Sequence, residues 1–131
     1  MAYEVFQRLT TRIDNPTLSI VPDGRITLNA GASRVLSGAG IKTVELLWDK
    51  SRLRIALKAS TKGNKNAYAV SFNGGNGSAS LRAKSFVSHI GWIAPRRVRL
   101  PAVWDEKSKM LEASLPRQYI RSQRIVDTTG L

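Results

Sequence analysis

Apolar residues recur at every second position in stretch after stretch of this chain. Ile26 and Leu28 alternate with Arg25 and Thr27, and Val44, Leu46 and Trp48 do the same. Leu53, Ile55 and Leu57 follow, then Tyr68, Val70 and Phe72. Val98, Leu100, Ala102 and Trp104 and finally Leu111, Ala113 and Leu115 complete the series. A period of two places one set of side chains on each face of a strand, so these segments predict strands with one buried face. Leu18–Val21 and Ser78–Leu81 add two shorter, weaker strands. Between them lie turn signals: Pro22-Asp23-Gly24, Asp49–Ser51, Asn73-Gly74-Gly75-Asn76-Gly77 and Asp105–Lys109. Asn29 is placed to cap a short helix from Ala30 to about Gly38, ended by Gly38 and Gly40, and a second helix runs from Lys84 to about Ile90. Pro101 suggests a sheet edge or a bulge.

The pattern occurs twice. Gly24, Leu28, Ala30 and Gly38 return as Gly77, Leu81, Ala83 and Gly91, each 53 positions later. Trp48-Asp49 then matches Trp104-Asp105, and Lys50-Ser51-Arg52-Leu53 matches Lys107-Ser108-Lys109-Met110. Matches in one order predict a duplicated unit of strand, strand, helix, strand, strand. The expected fold is mainly β with short helices (α+β). Two tandem ββαββ units, 18–58 and 69–116, form one pseudo-symmetric swapped-hairpin or double-psi-like barrel, and 59–66 links them. Residues 1–116 then make one domain, and 117–131 a basic, frayed C-terminal tail carrying Arg117, Arg121 and Arg124.

Composition narrows the chemistry. The 131 residues contain no cysteine and one histidine, His89, which excludes disulfides, thiolate catalysis and multi-histidine or thiolate metal sites. The nine carboxylates are scattered, without the clustering that metal-assisted hydrolysis needs, so no enzyme activity, no cofactor and no metal are expected. No run approaches the ~20 apolar residues of a membrane span, and the opening residues lack the apolar segment of a signal peptide, so a cytoplasmic protein is expected.

Charge points towards a partner. Twenty-one Lys and Arg stand against nine Asp and Glu, a net +12. Between Asp49 and Asp105 there are eleven cations and no acidic residue. Ordinary solubilising surfaces mix both signs, so an unbalanced run favours a polyanion. Alternation carries the same message: if Val98 and Leu100 face inward, Arg97 and Arg99 share the outer face. Likewise Arg52, Arg54 and Lys58 would form a second ridge opposite Leu53, Ile55 and Leu57.

The run Asp23-Gly24-Arg25-Ile26-Thr27-Leu28, leading into a short helix and a hairpin, resembles the AbrB/MazE family of DNA-binding domains. In that family two units interlock by lending each other a hairpin, and two units in one chain resemble the arrangement of MraZ. The family's proline after the second strand is replaced by Asn29 and Arg82, and Gly-Arg by Gly77-Ser78 in the second half. The resemblance implies DNA contacts at Arg25 and Arg34, with Arg82 and Lys84 substituting where the second half lacks the cations.

The expected partner is therefore nucleic acid, duplex DNA, with no membrane, held by a monomeric pseudo-dimer or a homodimer. Its expected contacts are Arg25, Arg34, Arg52, Arg54, Arg82, Lys84, Arg96, Arg97 and Arg99, in a transcriptional regulator or architectural protein. Two other readings stay open. One is an RNA or single-strand binder stacking bases on Trp48, Trp92 or Trp104, although tryptophans before polar turns more often pack. The other is an assembly protein meeting an acidic partner. The glycine loop at 73–77 lacks the Gly-Lys-Ser/Thr of a phosphate loop and reads as a hairpin turn.

Overall fold

The structure is a computed structural model and describes residues 15–61, 63–73 and 77–121. Nine strands and two helices follow in chain order. The strands are β1 (Thr17–Ile20), β2 (Arg25–Leu28), β3 (Thr43–Asp49), β4 (Arg54–Ala59), β5 (Tyr68–Ala69), β6 (Ser71–Phe72), β7 (Ala79–Arg82), β8 (Val98–Asp105) and β9 (Met110–Ser114). Helix α1 (Ala30–Gly38) follows β2 and α2 (Lys84–His89) follows β7. The sequence expectation of a mainly β chain with two short helices holds.

All nine strands join one sheet in the order β5-β3-β4-β9-β8-β1-β2-β7-β6, and every pairing is antiparallel. The two ends of that order, β5 and β6, are separated in the chain by Val70 alone, so the sheet curls into a nearly closed barrel. Its interior is filled by Leu18, Ile20, Ile26, Leu28, Val44, Ile55, Leu57 and Leu111, all at most 1% exposed. Leu36 of α1 belongs to the same core, as do Phe86 and Val87 of α2 and the following Ile90.

Asn29 stands at the junction that sets this arrangement. Its Oδ1 accepts from the Ala32 amide at 2.9 Å, capping α1, and from the Thr17 amide at 2.9 Å, tying the start of β1 to the helix. Its Nδ2 donates to the Asn15 carbonyl at 2.8 Å. The asparagine thus does with hydrogen bonds what a rigid proline does with its ring. Asn29→Ala is expected to cost about 1–2 kcal/mol, read as a lowered urea midpoint, and Asn29→Asp to recover most of it through the retained acceptor.

Two local expectations are corrected. The Tyr68–Phe72 run does not bury one face: it breaks at Val70 into β5 on β3 and β6 on β7, which leaves Tyr68 half-buried and Phe72 40% exposed. Pro101, by contrast, stands at a local edge as expected: within β8 its register partner is Thr17 of β1, and no residue of β9 pairs with it. The Ala102 amide donates to Pro16, so the Pro101 nitrogen faces β9, where the ladder has already ended at Ala102↔Ala113. No hydrogen bond is lost there. Secondly, the chain after Pro116 is docked as far as residue 121. Arg117–Tyr119 form a 3-10 turn, Ile120 bridges Trp92, and the Arg121 amide donates to Gly91 at 2.8 Å. Arg124 lies outside the described residues.

A candidate nucleic-acid interface

Opposite the core side chains of β8, β1, β2 and β7 lies a second face whose centre is covered. Ser19 is 3% exposed and Thr27 Oγ1 is buried without a hydrogen-bond partner among the described residues, while Arg25, Arg82, Arg97 and Arg99 are exposed. In register across the sheet, Arg99 faces Ser19, Ser19 faces Thr27, and Thr27 faces Ser80, all opposite the core side chains of the same strands. One step along, Arg25 of β2 is the register partner of Arg82 of β7. Arg97 lies one residue past the Ile20↔Val98 pair, next to Val21, whose amide donates to the Arg25 carbonyl. Strands sit ~4.8 Å apart and alternate residues on one strand ~7 Å apart, so Arg97, Arg25 and Arg82 stand in one row, with Arg99 one further step along β8 beside the buried Ser19.

The β1–β2 turn extends the patch onto α2. Gly24 adopts φ +96°, a conformation that glycine enters without penalty, and its carbonyl accepts from the Ala83 amide at 2.9 Å. A Cβ on Gly24 would stand 2.5 Å from Lys84 Cα, so the turn and the helix start touch backbone to backbone. Asp23, Gly24, Arg25, Arg82, Ala83 and Lys84 together line a shallow groove. Among the described residues, Arg82, Lys84, Arg96, Arg97 and Arg99 have no ion-pair partner. Arg25 has one, with its Nε 3.2 Å from Asp23 Oδ2 in a pair about half exposed on both sides. Exposed pairs of this kind contribute little, so the guanidinium remains available to a stronger anion.

The remaining candidates lie elsewhere. Arg34 stands on α1 near Trp104, Glu106 and Lys109 at the tip of the β8–β9 hairpin. Arg52 belongs to the β3–β4 turn and pairs loosely with Asp49 at 3.8 Å. Arg54 is half-buried, with Nη2 3.7 Å from Glu112 Oε1 across the β4–β9 pair. The expected ridge of Arg52, Arg54 and Lys58 therefore does not form. Leu53 takes a left-handed φ of +54° in the turn, which ends the alternation before Arg52, and Glu112 supplies a counter-charge from a distant part of the chain.

Carboxylates are segregated as well. Of those described, Glu45, Asp49, Asp105, Glu106 and Glu112 all belong to the β3–β4 and β8–β9 hairpins, and only Asp23 approaches the arginine patch. Most of them act locally. Asp49 accepts from the Ser51 hydroxyl at 2.9 Å and the Arg52 amide at 3.1 Å, and Asp105 from the Lys107 amide at 3.0 Å, as expected of turn formers. Glu106 accepts from Trp104 Nε1 and pairs with Lys109.

The Ser51 hydroxyl, then the Arg52 amide, hold the Asp49 carboxyl below its ordinary 3.8. The Arg25 amide, followed by its guanidinium, does the same for Asp23. A depressed folded value means that these groups stabilise fully above about pH 4 and lose that contribution as pH falls through their folded values. The melting temperature is accordingly expected to drop below about pH 4, and Asp49→Asn to flatten part of that slope.

The tryptophans are packed. Trp92 is 8% exposed and lies 5.5 Å from Tyr119 between ring centroids, while Trp48 and Trp104 lean half-buried on the core. The described residues contain no group of three or more His, Asp or Glu placed to hold a metal ion, and no helix among them is long and apolar enough to cross a membrane. Comparison with family models, curated proteins and solved structures returns no match.

Proposed function

We propose that this chain binds duplex DNA through its phosphates, with the cations exposed on β2, β7, β8 and the start of α2. The observation that carries this reading is the charge segregation: five described cations, Arg25, Arg82, Lys84, Arg97 and Arg99, share a face that only one described carboxylate approaches. Exposed Arg96 adds to it from the loop before β8. Guanidinium groups at this spacing suit successive phosphates, which they grip bidentately. In this reading the protein is a non-enzymatic, cytoplasmic regulator or architectural protein, and base edges contribute less than the backbone. Burial of Trp92 and partial burial of Trp48 and Trp104 favour a duplex over a single strand, which needs open stacking platforms.

We also read the chain as two ββαββ units forming a pseudo-dimer, as the AbrB/MazE resemblance implies. The strand pairings support this. Exchanging β1 with β5/β6, β2 with β7, β3 with β8 and β4 with β9 maps the list of pairs onto itself. The turn glycines behave alike too, Gly24 abutting Lys84 and Gly77 abutting Ala30.

The test is a salt titration. With about five phosphates engaged, affinity for a duplex of mixed sequence is expected to fall roughly 500-fold between 50 and 200 mM salt. A salt-insensitive affinity overturns the reading.

A further inference from the structure

Apart from Arg99, which faces Ser19 in the middle row, the cations of this face stand at one end of it. Along the β2–β7 ladder, Arg25↔Arg82 is the terminal pair beside Gly24 and Lys84. The ladder's other end closes on Leu28↔Ala79, and the described residues that continue it, Thr17, Asn29, Ser78 and Ala30, carry no charge. Beside Gly77, the place that Lys84 holds beside Gly24 is taken by Ala30.

We infer that the interface is one-ended: a single chain grips one stretch of duplex through the Arg25–Arg82–Lys84 end, and its target has no two-fold symmetry. This rests on the duplex-binding reading above. A protein that reads a palindrome presents equal contacts on both sides of a dyad, so that each half-site meets the same side chains. Here a dyad through the centre of the β2–β7 ladder would carry Arg25, Arg82 and Lys84 onto neutral residues. Among the described residues of this ladder the second end offers no cation to a second half-site, Arg34 of α1 standing instead beside Trp104 and Glu106, and one copy saturates one binding segment.

Two substitutions at equivalent helix starts test this. Lys84→Glu and Ala30→Glu each place a carboxylate at the first position of a helix, where it is tolerated. Binding to a fluorescent duplex of about 12 base pairs is measured for both, with stoichiometry read by sedimentation. Lys84→Glu is expected to weaken binding roughly tenfold or more. Ala30→Glu should leave affinity within about twofold, and each duplex should carry one chain. Equal weakening by both substitutions, or two chains bound cooperatively to a palindrome, overturns the one-ended interface while leaving duplex binding intact. Absence of duplex binding by the unaltered protein overturns both.

Discussion

A protein carrying Arg25→Gln, Arg82→Gln and Arg97→Gln together is expected to lose on the order of a hundredfold in duplex affinity at moderate salt. The slope of log affinity against log salt should fall by about 2.7, close to 0.9 for each phosphate contact removed. The three side chains lie outside the core and, among the described residues, support no hydrogen bond beyond the exposed Arg25–Asp23 pair, so the fold should persist with an unchanged circular-dichroism spectrum. A control carrying Lys50→Gln and Arg52→Gln loses nearly as much charge, but from the β3–β4 turn on the carboxylate-bearing side. It should bind within about threefold of the unaltered protein, because exposed charges beyond a Debye length of ~8–10 Å are screened. Loss of the same size in both would mean that net charge, not the patch, attracts the duplex.

Gly24→Ala is the most damaging single substitution expected. It sets a Cβ against the Lys84 backbone, which cannot move without dragging α2, and it forces alanine to φ +96°. Overpacking and the left-handed conformation together cost on the order of 3–4 kcal/mol, a large share of a typical domain's 5–15 kcal/mol. Gly40→Ala is the internal comparison. That glycine is also left-handed, at φ +73°, but its Cβ would meet open space, so only the conformational cost of about 1 kcal/mol is expected. The two denaturation midpoints separate crowding from backbone preference. A variant at Gly24 that still folds should also bind duplex poorly, since the same contact positions Lys84 beside Arg25.

Much of this architecture is legible in the chain. Alternation at period two located β2, β3, β4, β8 and β9, because a half-buried strand leaves that signature wherever its partners lie, whereas β1, buried on nearly every position, shows none. Asn29 and the helix it caps were readable for a related reason: capping is a contact over three residues. Failures came where the outcome depends on partners far along the chain. Nothing near Arg54 announces Glu112, and nothing in Tyr68-Ala69-Val70-Ser71-Phe72 says that its halves pair with different strands. The patch itself was half legible. Arg97 and Arg99 followed from alternation, but their meeting with Arg25 and Arg82 requires the β1–β8 and β2–β7 registers. The burial of Ser19 and of the Thr27 hydroxyl between these cations was not legible either, because a polar residue alternating with apolar ones reads as exposed.

The pairings of β1 with β8, β2 with β7, β3 with β5 and β4 with β9 have a kinetic consequence. Each reaches across to the other part of the chain, so the average separation of contacting residues is large. Loop-closure entropy must be overcome before those contacts form, which places folding in the millisecond-to-second range of all-β barrels. During synthesis β1 and β4 wait for their outer partners until β8 and β9 emerge, so the barrel cannot close before the chain has been made through Ser114.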